Sequence, residues 1–142
     1  MRLRILFVFL CSICFSCSVE KLIQNRAYET AFNLAAENLE RKPHDVHLLN
    51  SITVAFDSLK SASDKRINVL RQVGNAKSWE FIYEEYSKQN KWQEVIKSLP
   101  FAPENFKYEN YEVLMKKASL VTSEKYYMEA ESYMKQESHK SA

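Results

Sequence analysis

One glycine, Gly74, and three prolines, Pro43, Pro100 and Pro103, are all the strong backbone punctuation this chain carries over 142 residues. A turn-rich β fold needs glycine at positive φ and proline at fixed φ in joint after joint. So sparse a supply points instead to helices joined by short connections, an all-α fold. With 46% hydrophobic and 27% charged residues the chain has the balance of a folded globular protein, not of a disordered one. Its length allows one domain.

Apolar periodicity places the helices. Residues 18–25 leave room for a short helix with Val19, Leu22 and Ile23 on one side. Tyr28, Ala31, Phe32, Ala35 and Leu39 mark a helix from Ala27 to Arg41, which Pro43 ends. Asp45 is placed to cap the next helix, carrying Leu48, Leu49, Ile52, Ala55, Phe56 and Leu59. Ser61-Ala62-Ser63-Asp64 is expected to be a joint before a helix with Ile67, Leu70 and Val73. Gly74 then sits where a left-handed helix terminator is wanted.

The clearest local pattern runs from Trp79 to Ala102. Trp79, Ile82, Tyr83 and Tyr86 share one helical face, with Ser78 as a candidate cap. Ser87 to Lys91 reads as a polar break, after which Trp92, Val95, Ile96 and Leu99 repeat the spacing until Pro100. Two short amphipathic helices so joined predict an αα-hairpin. Beyond the extended Pro100–Pro103 joint, one helix carries Tyr111, Leu114, Met115, Ala118 and Val121. A last one, capped by Thr122 or Ser123, carries Tyr127, Ala130 and Met134. Residues 137–142 are expected to fray.

The N-terminus is of another kind. Arg2 and Arg4 precede an apolar run from Ile5 to Ile13, the order of a secretory signal and too short for a membrane span of about 20 residues. Those two arginines account for the whole formal excess of +2, so the rest of the chain is neutral. Such a balance argues against an electrostatic nucleic-acid binder. Ser16-Cys17-Ser18 follows. This segment resembles the signal of a bacterial lipoprotein, of a relaxed kind similar to those of Bacteroidota. The resemblance implies a leader over 1–16 and lipidation of Cys17. The alternatives are plain cleavage by a general signal peptidase or an uncleaved anchor. Cys11, Cys14 and Cys17 echo an iron–sulfur spacing, but they lie in an apolar signal with no fourth cysteine.

Ala31, Ile67, Val95 and Ala130 recur 36, 28 and 35 residues apart. Trp79-x2-Ile82-Tyr83-x2-Tyr86 followed by Val95-x3-Leu99 resembles the tetratricopeptide repeat, whose period is about 34 residues, with Tyr83 in place of its glycine. Ala31, Ala35 and Pro43 repeat its spacing of small residue, core residue and proline. Tyr28, Trp92 and Tyr127 match its aromatic three residues before the small position. The resemblance implies antiparallel helical hairpins stacked as a short α-solenoid over 17–136.

Catalytic signatures are lacking: no glycine-rich phosphate loop, no H-E-x-x-H and no G-x-S-x-G. His44 and His47 are read as solvated histidines in a joint, not as a metal pair, and Glu80, Glu84, Glu85 and Glu94 as a solvated helix face. Of the aromatics, Trp79, Tyr86, Trp92 and Tyr127 match the core stripes, whereas Tyr83 and Tyr126 are the candidates for an exposed partner-binding surface. The expectation is a non-catalytic cell-envelope lipoprotein without metal or cofactor, serving as a scaffold for a protein partner. The alternative is a ligand-capturing lipoprotein for glycan or peptide uptake.

Overall fold

The computed structural model of the chain describes residues 19–104 and 106–140, except the side chains of 138–140. The expected leader and Cys17 lie outside the described residues. Five helices and no strand occur among those described: α1 (residues 19–24), α2 (Tyr28–Arg41), α3 (Val46–Val73), α4 (Ala76–Ser98) and α5 (Tyr111–Lys140). The chain divides into two compact units. Of the described residues, the first holds those up to Ser61 together with those in Trp92–Tyr108; the second holds Ala62–Lys91 and those from Glu109 onwards. The division falls within α3 and α4.

Helix ends follow local chemistry. α1 ends in a Schellman turn, in which Ala27 N–H donates to Leu22 C=O and Arg26 N–H to Ile23 C=O. This turn puts Arg26 at φ 59°, a conformation that favours glycine. α2 stops one residue before the Lys42–Pro43 bond, as expected. Asp45 Oδ1 accepts from His47 and Leu48 N–H at 3.0 and 3.2 Å, so it does cap α3. Gly74, at φ 68°, ends α3 with its N–H on Leu70 C=O. Asn75, not Ser78, caps α4. Its Oδ1 accepts from Ser78 N–H at 2.8 Å, while Ser78 Oγ donates to Asn75 C=O at 2.7 Å.

Three expected breaks do not form. Ser61–Asp64 lies inside the 28-residue α3, and Ser87–Lys91 inside the 23-residue α4. The αα-hairpin expected over Trp79–Leu99 is therefore one helix, and the two-helix repeat is not formed there. Thr122 and Ser123 lie inside the 30-residue α5, where their hydroxyls donate to the carbonyls of Ala118 and Ser119. α5 runs on to Lys140.

In the first unit Val19, Ala31, Phe32, Ala35, Leu39, Leu48, Ile52, Ala55, Phe56 and Ile96 form the buried core. Leu22, Ile23, Trp92 and Phe106 pack against it. The connection after α4 belongs to this core. Phe106 meets Phe56 and Tyr108 edge-on, each at 4.9 Å between ring centres.

The second unit has a smaller core of Ile67, Ile82, Tyr86, Tyr111 and Ala118, covered by Leu70, Trp79, Leu114 and Met115. Its contacts run in opposite order along neighbouring helices. Ser63 meets Gln89 and Arg66 meets Glu85 between α3 and α4. Likewise Ala76 meets Glu129 and Glu80 meets Tyr126 between α4 and α5. Both pairs are antiparallel.

Candidate functional site

α4 organises the second unit because it presents three different faces there. Ile82 and Tyr86 point into the core. Beside them, Glu85 and Gln89 carry a buried polar seam towards α3. Gln89 Nε2 donates to Ser63 Oγ and to Asp64 Oδ1, both at 2.8 Å. Ser63 Oγ donates to Glu85 Oε2 at 2.7 Å, which Arg66 also reaches at 2.7 Å, while Lys88 holds Oε1 at 2.8 Å. Burial pushes the Glu85 carboxyl up, but the bonds from Arg66, Lys88 and Ser63 together outweigh it and hold the group at about 2. Glu85 thus stands as an anion held by three donors, two on Oε2 and one on Oε1.

Towards α5, α4 opens a cleft of about 400 Å³ lined by Glu80, Tyr83, Glu84, Ser119, Thr122 and Ser123. Both tyrosines singled out from the sequence are exposed, Tyr83 by 42% and Tyr126 by 45%. The two are brought to the same carboxylate neighbourhood. Tyr126 Oη donates to Glu80 Oε1 at 2.8 Å, and Lys77 Nζ donates to the other oxygen. The Glu80 carboxyl is lowered by its bond from Lys77 and then by that from Tyr126. The Tyr126 phenol is raised by the same bond, and the Lys77 ammonium by Glu80.

Chemically, this cleft accepts. The Thr122 and Ser123 hydroxyl protons are committed to α5 carbonyls, leaving their oxygens as acceptors beside the Glu80 and Glu84 carboxylates. Tyr83 adds a half-exposed ring. Such a lining suits amide or cationic donors on a ligand that also offers a surface to the ring.

A second, more apolar cleft of about 590 Å³ lies on the α3 side of α4. Val69, Leu70 and Phe81 line it, with Lys65, Arg66 and Lys88 among the flanking charges. Lys77 Nζ sits 5.2 Å from the centre of the Phe81 ring.

Other expected positions differ. Trp79, Tyr86 and Trp92 pack on the two cores as anticipated, but Tyr127 is 71% exposed and so is not core. Val95 and Ala130, taken as repeat positions, are also exposed. His44 stands edge-on to Phe101 at 4.8 Å, whereas His47 Nδ1 lies 4.0 Å from Glu20, so each histidine has a partner of its own. Among the described residues no cluster of three metal-ligating side chains occurs, and no helix is long and apolar enough to cross a membrane. The seam is hidden from sequence reading because Ser63, Asp64 and Gln89 fall in the two expected polar breaks and Glu85 on the expected solvated face, whereas Glu85 is buried; their mutual complementarity is the available signal. No protein-family model, curated protein or solved structure matches the chain.

Proposed function

We propose that this protein is a non-catalytic cell-envelope lipoprotein that serves as a scaffold, binding a protein partner at the Tyr83 cleft. The observation that carries the reading is the union of an exposed aromatic ring with an acceptor-rich lining at one place. A partner segment presenting arginine or lysine and free backbone amides satisfies both. The antiparallel α3–α4 pair takes the role that a repeat hairpin has in a tetratricopeptide-like surface, in place of the Trp79–Leu99 stretch. Membrane attachment in this reading goes through lipid on Cys17, on either membrane of a Gram-negative envelope. Glycan capture is less well supported, because Trp79 and Trp92 are partly buried against the apolar cores and neither lines the Tyr83 cleft.

A photo-crosslinking amino acid placed at Tyr83 in cells tests the partner claim. The expected result is one dominant protein adduct, lost when Glu84→Lys is added and absent from a probe at Lys107, in the first unit. Equal labelling from both positions would refute it. Incorporation of a fatty-acid analogue tests the anchor; label that persists in Cys17→Ala sinks the lipid assignment. Saturable, glycan-dependent quenching of tryptophan fluorescence would favour the uptake reading instead.

A further inference from the structure

α5 has two apolar faces. One carries Tyr111, Leu114, Met115 and Ala118 into the second unit's core. The other carries Val113, Leu120, Tyr127 and Met134, each between 59% and 71% exposed. Scattered exposed hydrophobics are ordinary on a protein surface, but these four recur every seven residues. At that period the drift is only about 20° per step, so they form one narrow line. The line is about 32 Å long at about 1.5 Å per residue, and it lies opposite the buried face.

Charge is distributed unevenly along this line. Lys116 and Lys117 flank its first half, and Glu124 and Glu131 its second, with Glu131 also holding Lys135 of its own helix at 2.9 Å. We propose that this outer face of α5 pairs antiparallel with the same face of a second copy of the chain. A two-fold axis between residues 123 and 124 sets Leu120 against Tyr127 of the other copy, and Val113 against Met134. It brings the lysine end of each helix beside Glu131 of its neighbour, twice over. Parallel pairing instead gathers four lysines, Lys116 and Lys117 of both copies, at one end. The charges therefore select the antiparallel arrangement.

The same symmetry places the two Glu124 carboxylates near each other at the centre, the one repulsive contact. A single helix pair of this length buries about 900 Å² in total, below the standard size class, so the dimer is a micromolar one. Tethering to a membrane raises its occupancy. This face borders the Tyr83 cleft at Ser119 and Ser123; self-association reads the one and capture of a partner the other, so either can fail without the other.

Sedimentation of the full chain in non-ionic detergent, from about 1 to 500 µM, reads the association; the range brackets the micromolar constant expected for the size class. Leu120→Glu should weaken it more than about tenfold and Glu124→Gln should tighten it severalfold, both with unchanged helical circular dichroism, as expected of like-charge and core contacts at an interface. In the full chain with Cys11, Cys14 and Cys17 replaced by Ser, oxidation should link Leu120→Cys protein to Tyr127→Cys protein in a mixture. Leu120→Cys alone should stay unlinked. A chain monomeric throughout the range, or a dimer indifferent to Leu120→Glu, would overturn the proposal. So would efficient cross-linking of Leu120→Cys to itself, which marks parallel pairing.

Discussion

Glu85→Gln is the most informative single change in the second unit. The carboxylate is almost entirely buried, its oxygens held by Ser63, Arg66 and Lys88. Its pKa falls from 4.5 to about 2, a difference of about 2.5 units, or about 3 kcal/mol at about 1.4 kcal/mol per unit. Arg66 and Lys88 are themselves half exposed, so water screens part of that interaction and about 2 kcal/mol is the better figure. Because the folded-state pKa is depressed, the contribution is fully present above pH 4.5 and is lost as pH falls from there through about 2. Glutamine keeps the shape and can still accept from Ser63, but it cannot titrate.

Denaturant unfolding of wild type and Glu85→Gln, followed by circular dichroism at pH 7 and pH 3, isolates this one group, since every other titration is common to both. The variant should be less stable by about 2 kcal/mol at pH 7 and by about 1 kcal/mol at pH 3. A gap that stays constant between the two pH values would refute the assignment of a paired, ionised Glu85. The variant's effect would then be one of packing alone.

The remaining predictions concern helix ends and the cleft. Gly74→Ala should cost about 1 kcal/mol, because the backbone there stands at φ 68°, which an L side chain adopts only with strain, although the added Cβ meets Arg71 C=O at an ordinary 3.5 Å. Arg26→Gly, at the corresponding point after α1, should gain a similar or slightly smaller amount; thermal unfolding of the pair reads both signs. Asp45→Ala should cost about 1 kcal/mol through loss of the α3 cap, with early amide exchange at His47 and Leu48 as the local signature. Tyr126→Phe should raise the Glu80 carboxyl towards its ordinary range by removing one of its two stabilising bonds, measurable by NMR titration, while Lys77 holds the other oxygen.

Helix content and several helix ends were legible in the sequence because their causes are local. Asp45, the Pro43 stop and Gly74 each act on residues within one turn. What stayed illegible was tertiary. Ser61–Asp64 and Ser87–Lys91 looked like breaks because serine, aspartate, glutamine and lysine favour water or caps when no partner is known. In the fold, Ser63 and Asp64 meet Gln89, so each apparent break is the other's partner and both remain helical. α5 misled in another way. With apolar residues on two opposite faces its periodicity does not say which face is inward, and Tyr127, expected in the core, belongs to the outside. Tyr83 and Tyr126 were read correctly as exposed, but nothing in their spacing told that Glu80 would stand near both.

The buried seam bears on function as well as stability. An all-apolar contact between two helices tolerates sliding by a turn, because one methyl replaces another at small cost. The α3–α4 contact does not. A slip of one turn parts Ser63 from Gln89 and both Ser63 and Arg66 from Glu85, and leaves the buried carboxylate with Lys88 of its own helix alone, at a cost of about 1–3 kcal/mol. α5 is tied to the same helix by polar contacts, Glu129 to Ala76 N–H at 3.0 Å and Tyr126 to Glu80. With so few residues in the core of this unit, these polar pairs do most of the work of setting register. The α4–α5 register in turn decides whether Tyr83 and Glu84 stand beside Ser119 and Ser123, and so whether the acceptor-lined cleft exists. Replacing Tyr126 by Phe and Glu129 by Leu together, which removes both polar ties between α4 and α5, should therefore leave a helical unit by circular dichroism that loses the proposed cross-link from Tyr83.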